Sequence, residues 1–342
     1  MTPLESVRCA LCGADTTLLL FHGWDRLHGG PGRFATVQCQ GCGLIYLNPR
    51  PPRTEMEGYY PTDYPPHAQA IEATKERLNP CTSLFMSRWG ARYGIRAIRY
   101  HGLSKQLRAV VALQPPGDLL DVGCGSGAFL AYARDHGWKV RGVELVEAAA
   151  SFCRDVLNLP VVTGDLLEAS FPSQSFDVVT LWSVLEHVHN PMAVLHEIRR
   201  ILRPGGLLVL AIPNLDSVDA HLFGPAWVGY DVPRHLYLFS HTVIQRMLAQ
   251  CGFGMVCRRC LFGGRTFFLS AQLYLGQQPN RPLWKRASLW VRRLENSPLV
   301  QMLTALYFHL IDALGAGPIL TVFARPDAGV PVLHPDRARS QK

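Results

Sequence analysis

The feature that most constrains the fold is an alternation of apolar runs with segments of helical length, which begins at Gly117. The apolar runs are "DLLDVG", "KVRGVEL", "LPVVTGD", "FDVVTLW" and "GGLLVLAIPN". The segments between and after them predict helices at residues 128–135, 147–157, 191–202 and 241–250. Continuous apolar runs of this length are typical of parallel strands buried on both faces. The pattern therefore predicts a doubly wound, mostly parallel α/β sheet, with its ligand site at the carboxyl ends of the strands.

A glycine-rich turn, "LLDVGCGSG" at residues 119–127, follows the first predicted strand. Its backbone can approach a ligand closely, and a dinucleotide, a phosphate or S-adenosylmethionine would each suit it. A Walker-type phosphate loop is excluded because no Lys-Ser/Thr pair follows. The dinucleotide fingerprint is satisfied by Gly123, Gly125 and Ala128, with Glu144 about 20 residues further on. The turn by itself leaves the ligand open.

Two CxxC pairs, "CALCG" at 9–13 and "CQGCG" at 39–43, precede this region. Each pair is followed by a glycine, which lets the backbone turn tightly beneath the sulfur atoms. Cys9, Cys12, Cys39 and Cys42 predict a zinc ribbon, and four thiolates leave no open position, so the ion is expected to be structural. The other six of the ten cysteines, including the "CRRC" at 257–260, are interpreted as structural free thiols.

The charge balance is basic, with 34 Lys and Arg against 26 Asp and Glu. The excess lies in short scattered groups, so it allows an anionic substrate, a membrane surface or nucleic acid without requiring any of them. Residues 1–8 contain no basic segment followed by an apolar one, which predicts no secretory signal. We expect a cytoplasmic protein, with peripheral contact at the inner face of the membrane as an option.

The composition shifts predict four consecutive parts. They are a zinc-ribbon-like segment at 1–50, a Pro/Tyr-rich linker with a helical cap at 51–112, an α/β domain at 113–326, and a tail at 327–342. Within the third part, inserted helices are expected at 280–317. The sequence "RPLWKRASLWVRRL" places Leu283, Trp284, Trp290, Val291 and Leu294 on one helical face and Lys285, Arg292 and Arg293 on another. This fits a membrane-surface helix over 281–314 and fits equally a helical pair that packs on the sheet edge or forms a homodimer interface.

The later strand ends favour one ligand for the glycine turn. "TGDLLE", "FDVVTLWSVLEHV" and "ILRPGGLLVLAIPN", taken with that turn, resemble the class I S-adenosylmethionine-dependent methyltransferases, in the branch of ubiquinone and sugar methyltransferases. The resemblance extends over residues 117–253. It implies a seven-stranded Rossmann-like sheet, methyl transfer as the activity and S-adenosyl-L-methionine as the cofactor. An N-terminal ribbon joined to such a domain resembles a subset of sugar and natural-product methyltransferases.

The resemblance implies a cofactor site at the strand ends. Its glycines line the methionine half, and Asp121 holds the amino end through water. Glu144 accepts both ribose hydroxyls by charge-assisted hydrogen bonds. Asp165 and the Leu166 amide bind adenine, with an ordinary helix N-cap as the alternative role of Asp165. The implied set is Asp121, Gly123, Cys124, Gly125, Gly127, Glu144, Leu145, Asp165, Leu166, and Trp182 with Ser183, which face the sulfonium.

The methyl donor is already activated, so the protein must mainly align a nucleophile and remove a proton. His187, in "LEHVHNP", stands where related methyltransferases have a substrate-facing Glu-His pair. In ubiquinone-type relatives a further acid precedes this pair and helps to hold a divalent metal. Ser183 stands at that position here, so the sequence leaves a metal at Glu186 and His187 open.

A second group of candidates lies in "GYDVPRHLYLFS", residues 229–240. Tyr230 and His235 are candidate catalytic residues beside His187, and Arg234 is a candidate for gripping a phosphate of the acceptor. The alternative is that Arg234 and His235 only tie the loop down. The cluster of Tyr59, Tyr60, Asp63 and Tyr64 resembles the aromatic segment that covers the cofactor in such enzymes.

We therefore predict methyl transfer to a small-molecule acceptor. The expected site of methylation is a hydroxyl or carbon of a sugar, glycolipid or natural-product intermediate, and the acceptor is anionic or lipid-linked. The alternative is a zinc-ribbon protein that binds or modifies nucleic acid. The sequence after the fourth strand of the α/β domain, "LWSVLEHV", lacks the Asn/Asp-Pro-Pro-Tyr/Phe motif of base-methylating enzymes, which disfavours that alternative.

Overall fold

The computed structural model describes residues 4–60, 95–260, 265–276 and 297–327, with isolated positions at 287, 290, 291 and 294. Its first sheet lies in the N-terminal segment and contains strands β1 (Thr17–Gly23), β2 (Phe34–Cys39) and β3 (Ile45–Leu47). These strands pair in antiparallel fashion. The fourth strand of this sheet comes from much later in the chain.

The second sheet has seven strands. They are β4 (Asp118–Val122), β5 (Lys139–Glu144), β6 (Val161–Thr163), β7 (Phe176–Trp182), β8 (Leu202–Pro213), β10 (Phe253–Cys260) and β11 (Ile319–Pro326). Their order across the sheet is β10-β11-β8-β7-β4-β5-β6. The five strands from β4 to β8 run parallel, whereas β11 pairs in antiparallel fashion with both β8 and β10. This arrangement confirms the predicted seven-stranded, doubly wound, mostly parallel α/β sheet.

Eight α-helices are described. They are α1 (Ile95–Val111), α2 (Ala128–Asp135), α3 (Glu147–Asp155), α4 (Pro191–Ile201), α5 (Val218–Phe223), α6 (His241–Gln250), α7 (Arg265–Gly276) and α8 (Pro298–Ala313). Two predicted helices, α2 and α6, have the expected bounds. Helix α4 ends one residue earlier than predicted because Leu202 is already extended and Pro204 follows shortly after it. Helix α3 also ends early, and Asn158 just beyond it has a positive φ.

The central strands form the core because their side chains are apolar on both faces. Leu119, Leu120, Val178, Val179 and Leu181 are fully buried, as is the run from Leu207 to Leu210. Helices α2, α3, α4 and α6 each contribute buried side chains to this core. Burial of this continuous apolar surface is the main stabilising contribution to such a fold.

The N-terminal sheet is completed by the α/β region. Strand β9 (Tyr237–Leu238) pairs with β3, so that Tyr46 lies opposite Tyr237 and Ile45 opposite Leu238. The buried Arg50 reinforces the junction, because its Nη1 atom donates to the Tyr237 hydroxyl at 2.7 Å and to the His189 carbonyl at 3.1 Å. The predicted domain boundary near residue 50 thus separates segments that share one sheet.

Some predicted features lie outside the described residues. They include Asp63 and Tyr64, residues 61–94 of the linker, Leu283, Trp284, Lys285, Arg292 and Arg293 of the inserted segment, and the tail beyond residue 327. Among the helices that the structure describes, none combines the length and apolar character needed to span a bilayer.

Candidate active site

The glycine turn lies between β4 and α2, at the carboxyl edge of the large sheet. Gly123 and Gly127 have φ values of 68° and 69°, a conformation that favours glycine. A Cβ atom at Gly123 would lie 2.6 Å from Val184 Cγ2, and one at Gly127 would lie 2.7 Å from Cys153 Sγ. Both the backbone conformation and the surrounding side chains therefore require glycine here.

Two buried carboxylates end the strands beside this turn. Asp121, the residue before the last one of β4, has 2% of its surface exposed, and Glu144, the last residue of β5, has 4% exposed. Glu144 accepts hydrogen bonds from the amides of Gly125 at 2.7 Å and Val146 at 2.9 Å. The Thr180 hydroxyl donates to Asp121 Oδ1 at 2.6 Å. Burial, opposed by this bond and reinforced by the charge of Glu144, raises the pKa of Asp121 to about 7.

The neighbours of these carboxylates differ in what they present. The Leu145 side chain is 67% exposed, so an apolar surface lies open beside Glu144. The Cys124 side chain is buried against Gly142, and only the main chain of Cys124 remains to face a ligand. The Trp182 ring packs edge-on against Phe129 at 5.2 Å. The positions of Leu145, Cys124 and Trp182 are compatible with the cofactor-binding roles predicted for them, and these roles stay predictions.

The carboxylate of Asp165, after β6, already has partners. Its Oδ1 atom accepts a hydrogen bond from the Leu167 amide at 2.9 Å, and its Oδ2 atom lies 3.2 Å from Arg53 Nη2. The Leu166 side chain is buried in the core. The first contact resembles the helix N-cap that the sequence left as the alternative. A role of Asp165 in adenine binding stays a prediction.

Two histidines meet near the end of β7. The rings of His187 and His235 lie edge to face with centroids 4.6 Å apart. The main chain brings them together, because the Glu186 carbonyl accepts from the amide of Leu236 at 2.8 Å and from that of Tyr237 at 3.3 Å. Both were predicted separately as catalytic candidates, and the structure places them in one pair.

The Nδ1 atoms of both histidines face backbone carbonyls. His187 Nδ1 lies 3.1 Å from the Arg234 carbonyl and 2.9 Å from the Tyr60 hydroxyl, and His235 Nδ1 lies 2.7 Å from the Gly229 carbonyl. A carbonyl oxygen only accepts, so each Nδ1 carries the proton and each neutral ring has its lone pair on Nε2. Burial and the proximity of His235 lower the pKa of His187 to about 3, and burial lowers the pKa of His235. Both rings are therefore neutral at pH 7.

Glu186 adds a third group that the sequence did not single out as catalytic. Its side chain is fully buried, and within the described residues neither carboxylate oxygen has a hydrogen-bond partner. Burial raises its pKa to about 8. One donor atom from each of Glu186, His187 and His235 lies within 4.8 Å of the others. The group that joins Glu186 and His187 is therefore His235, from a distant loop, and not a residue at the position of Ser183. No local spacing could have indicated this.

The expectation for Arg234 was wrong. Its side chain is fully buried and binds Asp25 at 2.8 and 2.9 Å, Asp231 at 2.5 Å and the Tyr59 carbonyl at 3.0 Å. All of its nitrogen atoms are thus occupied inside the protein. Arg234 cannot grip an anionic group of an acceptor without breaking a buried ionic network.

Tyr230, the third predicted catalytic residue, lies in an aromatic cluster. Its ring packs edge-on against Phe21 at 4.8 Å and Trp227 at 5.6 Å, and burial raises its pKa. It also lines a groove of about 440 Å³ between the N-terminal sheet and the starts of α5 and α6. Of the predicted aromatic cover, Tyr60 contacts His187, whereas Tyr59 packs against Phe34.

The four N-terminal cysteines converge as predicted. Sγ–Sγ distances are 3.4 Å for Cys9 and Cys42 and 3.5 Å for Cys12 and Cys39, and all four sulfur atoms lie within 4.8 Å of one another. Gly13 and Gly43 follow the two pairs with φ values of 74° and 81°. Their amides donate to the carbonyls of Cys9 and Cys39 at 2.9 Å. This donor set fits a structural zinc ion.

Comparison with known proteins agrees with the fold class. A sequence profile for a methyltransferase domain matches residues 69–258, more than half of the 342 residues. The chain belongs to this methyltransferase family. Its seven-stranded sheet is the one that the resemblance to class I S-adenosylmethionine-dependent methyltransferases implied.

Individual relatives of this methyltransferase match over shorter stretches. The ubiquinone biosynthesis O-methyltransferase of Pseudomonas paraeruginosa is 32% identical over 135 residues, which are 36% of this chain and 57% of that protein. The 2-methyl-6-phytyl-1,4-hydroquinone methyltransferase of Synechocystis sp. is 37% identical over 105 residues, 28% of this chain and 32% of that protein. The matches thus span less than two thirds of either relative.

Solved structures of methyltransferases also resemble the chain. One from Thermotoga maritima, described as a possible histamine N-methyltransferase, has a TM-score of 0.46 and 16% identity, and covers 71% of this chain and 97% of that one.

Proposed function

We propose that this chain transfers a methyl group from S-adenosylmethionine to a small-molecule acceptor. The observation that carries the proposal is the pair of buried carboxylates, Asp121 and Glu144, on either side of a turn that requires glycine. Membership of the methyltransferase family supports the choice of cofactor over a dinucleotide. S-adenosylmethionine, when bound, supplies a methyl group already activated by its sulfonium.

The residues around the turn suit the separate parts of this cofactor. Glu144 is already fixed by two backbone amides, so its carboxylate is oriented before the ribose hydroxyls arrive. Asp121, fixed by Thr180, offers a carboxyl to the amino end. The exposed Leu145 offers an apolar surface to the adenine ring. Preorganised groups of this kind lower the ordering cost of binding.

His235 is the better candidate for the general base. Its Nε2 atom lies 3.9 Å from Asp231 Oδ2, so the imidazolium that forms on taking a proton is stabilised by a carboxylate. His187 faces Arg234 and the Tyr60 hydroxyl through Nδ1, and its strongly lowered pKa makes it a poorer base. We assign His187 to orienting the acceptor through a hydrogen bond at Nε2. Tyr230, which stays protonated, lines the groove between the N-terminal sheet and the starts of α5 and α6, and we assign this groove to the acceptor.

The names of the relatives support a small-molecule acceptor. The names of the two relatives above refer to O-methylation in ubiquinone biosynthesis and to methylation of a hydroquinone, both of which concern small molecules. This favours a small molecule over nucleic acid. We propose a hydroxyl or an acidic carbon as the methylated atom, with a sugar, glycolipid or natural-product intermediate as the class, and a hydroquinone as a further one.

A divalent cation is the second candidate feature of this site. The Glu186 carboxylate, which has no hydrogen-bond partner within the described residues, and one ring nitrogen of each histidine lie close enough together to fit such an ion. Each histidine is also oriented by a bond from Nδ1 to a carbonyl, as metal-binding histidines commonly are. In this alternative to the general-base assignment, Glu186, His187 and His235 would hold the cation, which would lower the pKa of an acceptor hydroxyl. Metal analysis tests this: more than one metal per chain, reduced to one by Glu186→Gln, supports it, and a single metal in both proteins rejects it.

The main test uses methyl-labelled cofactor and a panel of acceptors. Glu144→Ala should weaken cofactor binding by at least about 100-fold, because it removes charge-assisted bonds to both hydroxyls. Calorimetry measures the affinity. Glu147→Ala, which removes an exposed carboxylate paired with Arg154, is the matched control and should bind normally. Near-normal affinity of Glu144→Ala would contradict the site, and tight binding of NAD instead would contradict the proposed cofactor.

A further inference from the structure

We propose that Asp25 and Arg234 are positioning residues. Through these two residues the N-terminal segment holds the two histidines of the acceptor site in place. This inference rests on the proposed function, because it concerns the two histidines assigned to the acceptor. The sequence analysis treated the ribbon as a structural unit and Arg234 as a ligand of the acceptor. The contacts give both a different role.

The centre of the arrangement is a buried bidentate ion pair. Arg234 Nη1 and Nη2 donate to the two oxygens of Asp25 at 2.9 and 2.8 Å, across 209 positions of sequence. Both side chains are almost completely buried. The planar guanidinium matches the carboxylate in one geometry, so the pair fixes orientation as well as position.

Asp25 is itself held in place before it meets Arg234. Its carboxylate accepts hydrogen bonds from the amides of Leu27, His28 and Gly30 in the connection after β1. Arg234 and these amides outweigh the effect of burial and lower the pKa of Asp25 to about 2. The carboxylate is therefore a fixed anionic anchor on the N-terminal side.

Arg234 in turn contacts His187 directly and His235 through Asp231. Its carbonyl is the acceptor for His187 Nδ1 at 3.1 Å, and its side chain binds Asp231, which lies 3.9 Å from His235 Nε2. A third contact, from Nη1 to the Tyr59 carbonyl at 3.0 Å, fixes the residue before Tyr60, whose hydroxyl also faces His187. One guanidinium thus joins three segments that converge on the pair of rings.

The far end of the N-terminal segment is fixed at the same loop. Pairing of β3 with β9 and the contact of Arg50 with Tyr237 lie directly after His235 in the chain. Residues 229–238 are therefore held on one side by Asp25 and on the other by the strand that follows the second CxxC pair. Removing the N-terminal contacts should disturb the histidines and leave Asp121 and Glu144, at the other strand ends, in place.

Asp25→Asn in the full chain tests the proposal. It keeps the size of the side chain but loses the charge and one acceptor oxygen. We expect kcat to fall by about 10- to 100-fold, as for a small displacement of a catalytic group. Cofactor affinity should be unchanged. Asp25→Glu, which keeps the charge at a shifted position, should restore part of the loss, and it replaces Asp25→Asn if the latter does not fold.

The matched control is Asp177→Asn. This variant also removes a carboxylate from an arginine pair, Arg203 Nη1 to Asp177 Oδ2 at 2.6 Å, but at the start of β7, far along the strand from the histidines. It should lower stability without lowering kcat. An equal loss of kcat in both variants, or a loss of cofactor affinity in Asp25→Asn equal to its loss of kcat, would overturn the proposal.

A second readout does not depend on activity. Nitrogen-15 spectra of labelled histidine should show hydrogen-bonded Nδ1 protons for His187 and His235, assigned from His187→Gln and His235→Gln. Asp25→Asn should shift or broaden these signals, and Asp177→Asn should not. Unchanged signals in Asp25→Asn would overturn the positioning role. If the wild type transfers no methyl group, the proposed function fails, and the spectra still decide whether Asp25 positions the rings.

Discussion

At the scale of single residues, two carboxylates of the same edge differ in what surrounds them. Glu144 is bound by two backbone amides, whereas Asp121 has one hydroxyl donor and a neighbouring negative charge. Burial beside another acid favours the protonated form of a carboxyl group. Asp121 should therefore titrate near neutral pH.

The pH prediction concerns Asp121. With its pKa raised from 3.8 to about 7, the folded protein keeps a proton that the unfolded chain has released, so the stabilising contribution of this group is lost as pH rises from about 4 to 7. A cationic amino end binds the ionised form, so cofactor affinity should rise about five- to tenfold between pH 6 and 7.5. Calorimetry measures this. Asp121→Asn should bind more weakly with no such rise, and a wild-type affinity independent of pH in that range would contradict the assignment.

The sequence predicted these residues more completely than the catalytic ones. Asp121 and Glu144 are each the last residue or nearly the last residue of a strand, a position that the apolar run before them defines. Glu186 lies in the same turn as His187, but which groups surround its buried carboxylate depends on how the loop at 229–240 packs against that turn. No pattern within either segment carries that information.

At the scale of elements, the N-terminal strands depend on the four cysteines. Strand β1 is mostly exposed, and the buried side chains of β2 and β3 pack into the same cluster as the core of the large sheet, so the N-terminal sheet has little core of its own. Small units of this kind usually need a metal or disulfides to fold. Two of the four cysteines follow β2 or end it, which ties the metal directly to the sheet.

Cys39→Ser should remove the metal and disorder this sheet. Elemental analysis should give about one zinc per chain for the wild type and almost none for the variant. Because β3 then loses its support, methyl transfer should fall much more than cofactor binding. Cys257→Ser, in the edge strand β10, is the matched control and should keep the zinc. Folded wild-type protein without metal would reject the ribbon.

At the scale of the whole molecule, one surface is unusually apolar. Helix α8 carries a stripe of exposed side chains at Leu299, Leu303, Leu306 and Leu310, with Leu306 79% exposed. Its other face packs against α7, where Phe308 contacts Phe267, and Phe267 contacts Phe223 of α5. The apolar surface is therefore continuous, through packed aromatic rings, with the segment that leads to Tyr230.

We propose that this surface contacts an anionic bilayer, because basic residues at 285, 286, 292 and 293 accompany the exposed Trp290 in the sequence before it. Vesicles with phosphatidylglycerol should sediment the protein, and neutral vesicles should do so less. Leu306→Glu and Trp290→Ala should each weaken this binding several-fold. Glu147→Ala serves as the surface control. Sedimentation unaffected by both substitutions would reject the proposal, and a stable dimer broken by Leu306→Glu would identify a second copy as the partner instead.

The sequence by itself determined the features that depend on local order. Strand and helix periodicity, the glycine turn, the acids near the ends of β4 and β5, and each CxxC pair can each be recognised from a short stretch of sequence. Each reflects a backbone or side-chain preference that neighbours in sequence decide.

Only the tertiary structure decided how the distant pieces meet. It paired His187 with His235, left the Glu186 carboxylate beside them and buried Arg234 against Asp25, 209 positions away. These contacts depend on loop closure and on the pairing of β3 with β9, whose free energy comes from the packing of the whole chain. Arg234 shows the difference most clearly. In the sequence, an arginine next to His235 indicates an anion site. In the fold, the side chain of Arg234 is buried and bound to Asp25 and Asp231, so it holds parts of the protein together.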